Sequence, residues 1–370
     1  MGKVVLVDSE GQRVTPAVLT PPPATPVFIA IDVSRSKWAF NVRWAGQERR
    51  HFTSPYGLEH VEAVVHQYAG CAVTLAYEAC GFGYEIAWWL QQRGIPVVVV
   101  APSTVERTRG LSVKTDRLDA RLLCRKLEKG DLKSAYIPTR NEHAQRQLSR
   151  SYAQVLKDRK RQQARIRSLL QEQGRIGPAP TRGWKPYAQW LATQQLPAPV
   201  ALSMTQLLEL RAAAEQRTER LSRAVLDLAE QPAHQPVVAA LCTQKGVGPF
   251  TAMRLILELG DLHRFGSAES FVHYLGLTPS EYTSGEEVQR GPTLKCGPGA
   301  VRAWLIECAW ASLRGKRPDP TLYACFERVA ARAGRKRAIV AVARRLARRL
   351  RARWLAALAA QASGVGEAHQ

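Results

Sequence analysis

Asp116 and Asp119 stand three residues apart in the run Lys114-Thr-Asp-Arg-Leu-Asp-Ala-Arg121. The pattern from Asp116 to Leu127 predicts a helix, and that spacing puts both carboxylates on one of its faces. Leu118, Leu122 and Leu123 are left to pack on the core side. Two neighbouring acids repel unless a cation sits between them, and carboxylate oxygens suit hard divalent ions such as Mg²⁺. Two more acids close apolar runs, Asp32 after Val27-Phe-Ile-Ala-Ile and Glu78 after Cys71-Ala-Val-Thr-Leu-Ala-Tyr. Each of the four also has an ordinary reading. An acid in a first helical turn is favoured by the helix dipole, and a strand-end acid can cap a turn. Farther along, the polar, turn-rich stretch Ser280–Glu287 holds serines near Arg290, Lys295 and Arg302. A serine on such a glycine-adjacent loop can attack a phosphate while cations hold the oxyanion. A plain surface loop has the same composition.

The elements that must position the acids read as an α/β unit over residues 27–138. Val27–Val33 is a short apolar run that predicts a buried strand. Trp38–Trp44 alternates as a partner strand, and Arg50–Thr53 follows a turn as a third. Helical spacing from Tyr56 to Tyr68, an apolar strand ending at Glu78, a helix over Tyr84–Gln92 and the strand Pro96–Val100 then lead to the Asp116 helix. Three strands in a meander, then helix, strand, helix, strand, helix, is the order of the ribonuclease-H-like fold, a mixed sheet with helices on both faces. Residues at strand C-termini border the ligand crevice of an open α/β sheet. Four acids converging there would suit two metal ions about 3.5–4 Å apart, stabilising the attacking and leaving oxygens of phosphoryl transfer.

Residues 1–26 read as an N-terminal extension closed by a proline-rich spacer. Residues 139–235 change character. Asn141–Glu172 and Met204–Glu230 predict two long amphipathic helices around a Pro/Gly-rich break at Gly174–Trp184. They can form a plain antiparallel hairpin or a dimerising coiled coil. Residues 236–370 form a third, mainly helical unit. In it, Gly246 and Gly248 precede a helix over Ala252–Leu259, as in a helix–hairpin–helix whose backbone N–H groups approach a DNA phosphate. A helix over Ala300–Leu313 follows, and Arg335–Arg353 interleaves basic and apolar residues up to Trp354. That tail suits nucleic-acid contact first, then packing on a partner, then a membrane surface.

Charge narrows the class. The chain has 370 residues, with 53 Lys+Arg against 31 Asp+Glu for a net charge of +22. Such a surplus argues for a polyanionic partner, most simply nucleic acid. The sequence has no apolar run of about 18 residues to cross a membrane. Asp8 and Glu10 interrupt any signal-peptide core. Seven scattered cysteines with no CxxC pair fit reduced thiols in a cytoplasm rather than a disulfide frame or a zinc site.

Taken together, the chain resembles the DEDD transposases of bacterial insertion sequences, the bridge-RNA-guided serine recombinases. The motifs that carry this are Ile31-Asp-Val-Ser34, Tyr77-Glu-Ala-Cys-Gly81, Lys114-Thr-Asp-Arg-Leu-Asp-Ala-Arg121, Gly246–Gly260, Tyr274-Leu-Gly-Leu-Thr-Pro279 and Thr283-Ser-Gly285, spread over roughly residues 27–313. The resemblance implies a Holliday-junction-resolvase-like (RuvC-like) N-terminal domain in which Asp32, Glu78, Asp116 and Asp119 bind Mg²⁺. It also implies a C-terminal transposase domain whose nucleophile, by motif position, is Ser284. The two sites would act together across protomers of a dimer or tetramer, on donor and target DNA held by a structured guide RNA. Family members often show Ser-Ser-Gly where this chain has Thr283-Ser284-Gly285, so Thr283 is a rival nucleophile. Where they commonly carry Ser-Lys-Arg-Gly, this chain has Leu294-Lys-Cys-Gly297, which leaves Lys295 as the matching cation. The candidate nucleic-acid contacts are Lys114, Arg117, Lys245, Gly246, Gly248, Arg290, Lys295 and Arg302. The rival readings are a DNA invertase of the same family, a junction-resolving nuclease that makes no covalent adduct, and a binding protein whose acids merely cap helices.

Overall fold

The computed structural model describes residues 21–79, 81–101, 116–179, 183–284, 287–294 and 296–367, with the side chains of 116–118, 281–284, 287–290, 292 and 364–367 outside that description. The chain divides into two compact units, Met1–Arg140 and Asn141–Gln370.

The first unit is built on a five-stranded sheet. β1 (Pro26–Val33), β2 (Lys37–Trp44) and β3 (Gln47–Pro55) form an antiparallel meander, and β4 (Ala72–Glu78) and β5 (Val97–Val100) add in parallel beside β1, giving the order β3-β2-β1-β4-β5. This mixed sheet is consistent with the ribonuclease-H-like order that the sequence predicts. α1 (Leu58–Gln67) and α2 (Glu85–Gln91) supply the crossovers, and α3 (Asp116–Glu128) closes the unit. Strand alternation sorts the apolar residues into two layers. Val27, Ile29, Ile31, Leu75, Tyr77 and Val99 join the α1 and α2 side chains on one face. Ala30, Ala76 and Val100 meet Leu123, Cys124 and Leu127 of α3 on the other. Small alanines on β1 and β4 let α3 lie close to the sheet.

The second unit is helical. α4 (Arg140–Glu172) and α6 (Ala198–Glu230) are each 33 residues long. Their far ends are tied by α5 (Trp184–Leu191) into a small core of Ile166, Leu170, Tyr187, Leu191 and Met204. The sequence reading ran the break to Trp184 and began the next helix at Met204, so it missed α5 and the first turns of α6. On α5 Trp184 stacks on Tyr187, and Trp190 meets the same ring at a tilt of 59°, an aromatic cluster around the buried Tyr187 that outweighs the flanking glycines and prolines. The arrangement described is a helical hairpin.

The larger core gathers α7 (Gln235–Cys242), α8 (Pro249–Leu259), α9 (Ala268–Tyr274), α10 (Gly299–Leu313), α11 (Pro320–Ala333) and α12 (Arg335–Glu367). The sequence reading did not mark α11, whose start Asp319-Pro320 is an N-cap followed by proline at the first helical position. In the basic tail, Ile339, Val342, Leu346, Leu350 and Trp354 are all buried in this core. Arg349 pairs with Asp319 at 2.9 Å, Arg351 donates to the Phe265 carbonyl at 2.7 Å, and Arg344 and Arg348 both bond Glu269. The apolar face of the tail is therefore spent inside its own chain, a use that the sequence reading did not name, while Arg335, Lys336, Arg337 and Arg345 stay exposed. Among the described residues no helix is long and apolar enough to cross a membrane.

Candidate catalytic centres

Asp32 and Glu78 sit side by side. β1 and β4 run parallel with Ile31 opposite Tyr77, so the next residue on each strand is an acid. Ile31 and Tyr77 face α1 and α2; by alternation Asp32 and Glu78 fall on the α3 face.

α3 is fixed by its C-terminal half. Cys124 Sγ lies 3.2 Å from the Phe28 carbonyl and 3.3 Å from that of Asn41. The Glu128 carboxylate takes Arg43 Nε at 2.7 Å and the Gly46 N–H at 2.8 Å, holding the helix end against the β2–β3 turn. Arg121 pairs with Glu48 at 2.7 Å. The helix thus runs antiparallel to β1. Its sheet-facing stripe is Ala120, Leu123, Cys124 and Leu127, all buried; Asp119 continues that stripe toward the N-terminus at helical spacing, and Asp116 is the first residue of the helix. From Cys124 back to Asp116 the helix rises about 12 Å; from Phe28 to Asp32 the strand rises about 13 Å. The Asp116 position is therefore carried to the level of Asp32, and Asp119 is half-buried about one turn closer to Cys124.

Among the described residues, no three His, Cys, Asp or Glu side chains come close enough to hold a metal ion. Asp32, Glu78 and Asp119 do not form such a cluster by themselves, and the Asp116 side chain lies outside the described residues, as does that of Arg117 and all of Lys114. The donor chemistry along this face is carboxylate oxygen, which fits a hard divalent cation. The Cys124 thiol behind it is no candidate ligand: burial pushes its ionisation far up, with a smaller opposing pull from Arg43.

In the second unit the stretch expected as a loop is a hairpin. β6 (Pro279–Ser284) pairs antiparallel with β7 (Glu287–Thr293), and Ser284 and Glu287 are its last pair. Ser284 is the last residue of β6, beside a two-residue connection. Two short runs with β-branched or aromatic residues, separated by two residues that include a glycine, carried the signal for this. The side chains of Ser284, Thr283 and Arg290, and all of Lys295, lie outside the described residues.

The base of the hairpin is set by glycines and one arginine. Gly297 has φ +68, and a Cβ there would lie 1.7 Å from the Tyr274 carbonyl oxygen; Gly276, at φ +64, would meet the carbonyls of Cys296 and Leu294 at 2.5 Å. Arg302 Nη1 donates to the carbonyls of Leu275 at 3.0 Å and Cys296 at 2.9 Å. Its guanidinium is thereby a clamp between the segments that enter and leave the hairpin. Lys245 is likewise engaged: Nζ donates to the Arg314 carbonyl at 2.8 Å and also to that of Arg317. Gly246, at φ +90, packs where a Cβ would meet backbone atoms of Cys308 and Ser312 at 2.6–2.7 Å, whereas Gly248 at the start of α8 has nothing within 4 Å. Of these two glycines, Gly248 is the one with open space around it.

Two stretches of the chain match known families. Residues 29–174 match a transposase family model of the DEDD type, and residues 238–324 match one described as the transposase IS116/IS110/IS902 family. The chain belongs to the IS116/IS110/IS902 family of DEDD transposases. It is similar to a putative transposase, y4qE, of Sinorhizobium fredii, with 29% identity over 76% of this chain and 71% of that one. A second from that organism, y4rJ, is 27% identical over 86% and 89%. The transposase for insertion sequence element IS1111A of Coxiella burnetii is 28% identical over 77% and 78%. As a DEDD transposase of this family, the chain is a DNA transposase/recombinase, DNA is its partner, and domains of its type typically use divalent metal ions.

The sequence reading missed Arg43 and Glu128, which fix α3, and it named Arg302 as a nucleic-acid contact without its hold on the base of the hairpin. Their partners lie 85 and 27 residues away in the chain, and periodicity within a segment does not report such pairs.

Proposed function

We propose that this transposase cleaves and exchanges DNA strands with two sets of groups: a Mg²⁺ site on the α3 face held by Asp32, Glu78, Asp116 and Asp119, and the Ser284 hydroxyl at the tip of β6. The observation that carries the reading is the register Ile31–Tyr77, which sets two strand-end acids adjacent on the face along which α3 runs its own pair. Divalent metal bound there would supply charge to stabilise oxygens that gain negative charge at phosphorus. Acting on the same DNA, the Ser284 hydroxyl gives up its proton as its oxygen forms an ester with the phosphorus, the bond from phosphorus to the sugar oxygen breaks, and that oxygen leaves as a hydroxyl, so that one proton is released and one taken up. Arg290, on the second strand of the hairpin, and Lys295 provide cationic charge near the phosphate, and Arg302 positions the hairpin.

The proposed assembly is at least a dimer in the bacterial cytoplasm, with donor and target DNA held by a structured guide RNA. The charge surplus of +22 supports a large polyanionic load, and Lys157, Lys160, Arg161 and Arg165 are exposed along α4. We also propose the working division 1–26, 27–138, 139–235 and 236–370, with α4 and α6 as the region through which copies pair.

The test uses labelled DNA carrying the element ends and the full chain, with Mg²⁺ and with chelator. Asp32→Asn and Asp119→Asn are each expected to lose at least about a hundredfold in strand cleavage, beyond the 10–100-fold typical of groups that only support metal ligands. Cleavage unchanged in either variant, or in chelator, would contradict the metal assignment.

A further inference from the structure

Three aromatic rings meet at the C-terminal end of the sheet. Trp38 lies 6.1 Å from Phe82, edge to face, and 6.4 Å from Tyr56; Tyr56 and Phe82 are 6.3 Å apart. Trp38 is buried, but Tyr56 is 59% exposed. The triad is assembled by topology. Trp38 pairs with Val33, one step beyond Asp32; Lys37 pairs with Pro55, the residue before Tyr56. Phe82 follows shortly after Glu78, in a turn whose Gly83 carbonyl accepts the Tyr77 hydroxyl at 3.3 Å. The β1–β2 turn beside it exposes Arg35 and Lys37.

We propose that Tyr56 and Phe82, backed by Trp38, stack an unpaired base of the DNA strand that the neighbouring acids act on, while Arg35 and Lys37 meet its phosphates. Asp32 and Trp38 are separated by one strand spacing and one residue step, about 4.8 and 3.3 Å. They lie on opposite faces of one sheet end. A strand bent over that end would place a phosphate at the acids and a base within a nucleotide or two on the rings. Aromatic stacking with cationic neighbours is the chemistry that holds single strands without regard to sequence. The proposal rests on the acid site read above and adds what orients its substrate.

The experiment uses the full chain, a chelator to stop cleavage, and a short single-stranded DNA with one 2-aminopurine. Binding is expected to quench that base. Tyr56→Ala should weaken binding roughly fivefold or more, at the low end of one lost stacking contact, with an unchanged salt slope. Tyr56→Phe should restore both affinity and quenching. Lys37→Ala should instead lower the salt slope by about one. If Tyr56→Ala binds and quenches as the parent does, or if only the RNA of the same sequence responds to Tyr56, the stacking proposal is overturned while the acid assignment stands. If Asp32→Asn still cleaves, the acid assignment fails and the binding result is read on its own.

Discussion

At the residue scale, environment separates side chains of the same type. Cys124 is fully buried on the sheet-facing side of α3, with its thiol turned to two backbone carbonyls, and desolvation strongly disfavours the thiolate. Cys296 is exposed at the root of the hairpin. Brief alkylation of the native chain, read by peptide mass spectrometry, should therefore label Cys296 at least tenfold faster than Cys124. Equal rates would mean that α3 does not cover the sheet as described. Nothing in the sequence distinguishes these two cysteines except that Cys124 lies on the apolar stripe of a helix. The same holds for Lys245. A lysine before Gly-x-Gly reads as a phosphate contact, yet here its ammonium satisfies carbonyls beyond the end of α10, a demand made by residues about 70 positions away.

At the element scale, periodicity located β1, β2, β4, β5 and α3 to within a residue or two, because each has one face buried by a large apolar layer. It failed for α5, α11 and the β6–β7 hairpin, which are short or whose polar faces conceal the pattern. Glycine roles were also hidden. Both glycines of Gly246-Val-Gly248 looked fit to approach phosphate, but only the geometry of α10 shows that Gly246 is wedged against Cys308 and Ser312. Gly246→Ala should cost more than about 2 kcal/mol, combining left-handed backbone strain with contact against immovable backbone. Gly248→Ala, at φ −101 with open space around it, should cost less than about 1 kcal/mol. Chemical denaturation of the two variants checks this; a reversed order would refute the close packing of the α7–α8 turn on α10.

At the scale of the whole molecule, one carboxylate links much of the second unit. Asp319 caps α11 through the Leu322 N–H at 3.0 Å, accepts Gln244 Nε2 at 3.0 Å from the α7–α8 turn, and pairs with Arg349 of α12. Burial alone would raise its pKa, but the hydrogen bonds from Gln244, Leu322 and Arg349 together hold it below the usual carboxylate value. A depressed folded pKa contributes stability that is present above the unfolded value near 3.9 and is lost as pH falls through the folded one. Asp319→Asn should lower stability by about 1–2 kcal/mol at pH 7, and the gap should begin to narrow as pH falls below roughly 4. A gap that persists unchanged at pH 3 would show that the carboxylate charge is not what ties these helices. Charge balance, the strand order and the four acids made the class of this protein legible in its sequence. The packing of the tail on its own core was not legible, because a basic amphipathic helix looks the same whether its apolar face meets a lipid, a partner or the rest of its chain.

The central claim, that Ser284 forms the bond to DNA with the help of the distant acids, is tested most directly by mapping the adduct. The full chain is incubated with Mg²⁺ and labelled element-end DNA, denatured, digested, and the DNA-bearing peptide is sequenced by mass spectrometry. The account predicts a phosphodiester on Ser284, absent from Ser284→Ala and reduced at least about a hundredfold in Asp32→Asn. Cleaved DNA with no attached peptide, or an adduct on Thr283 that forms in full yield without Ser284, would contradict it.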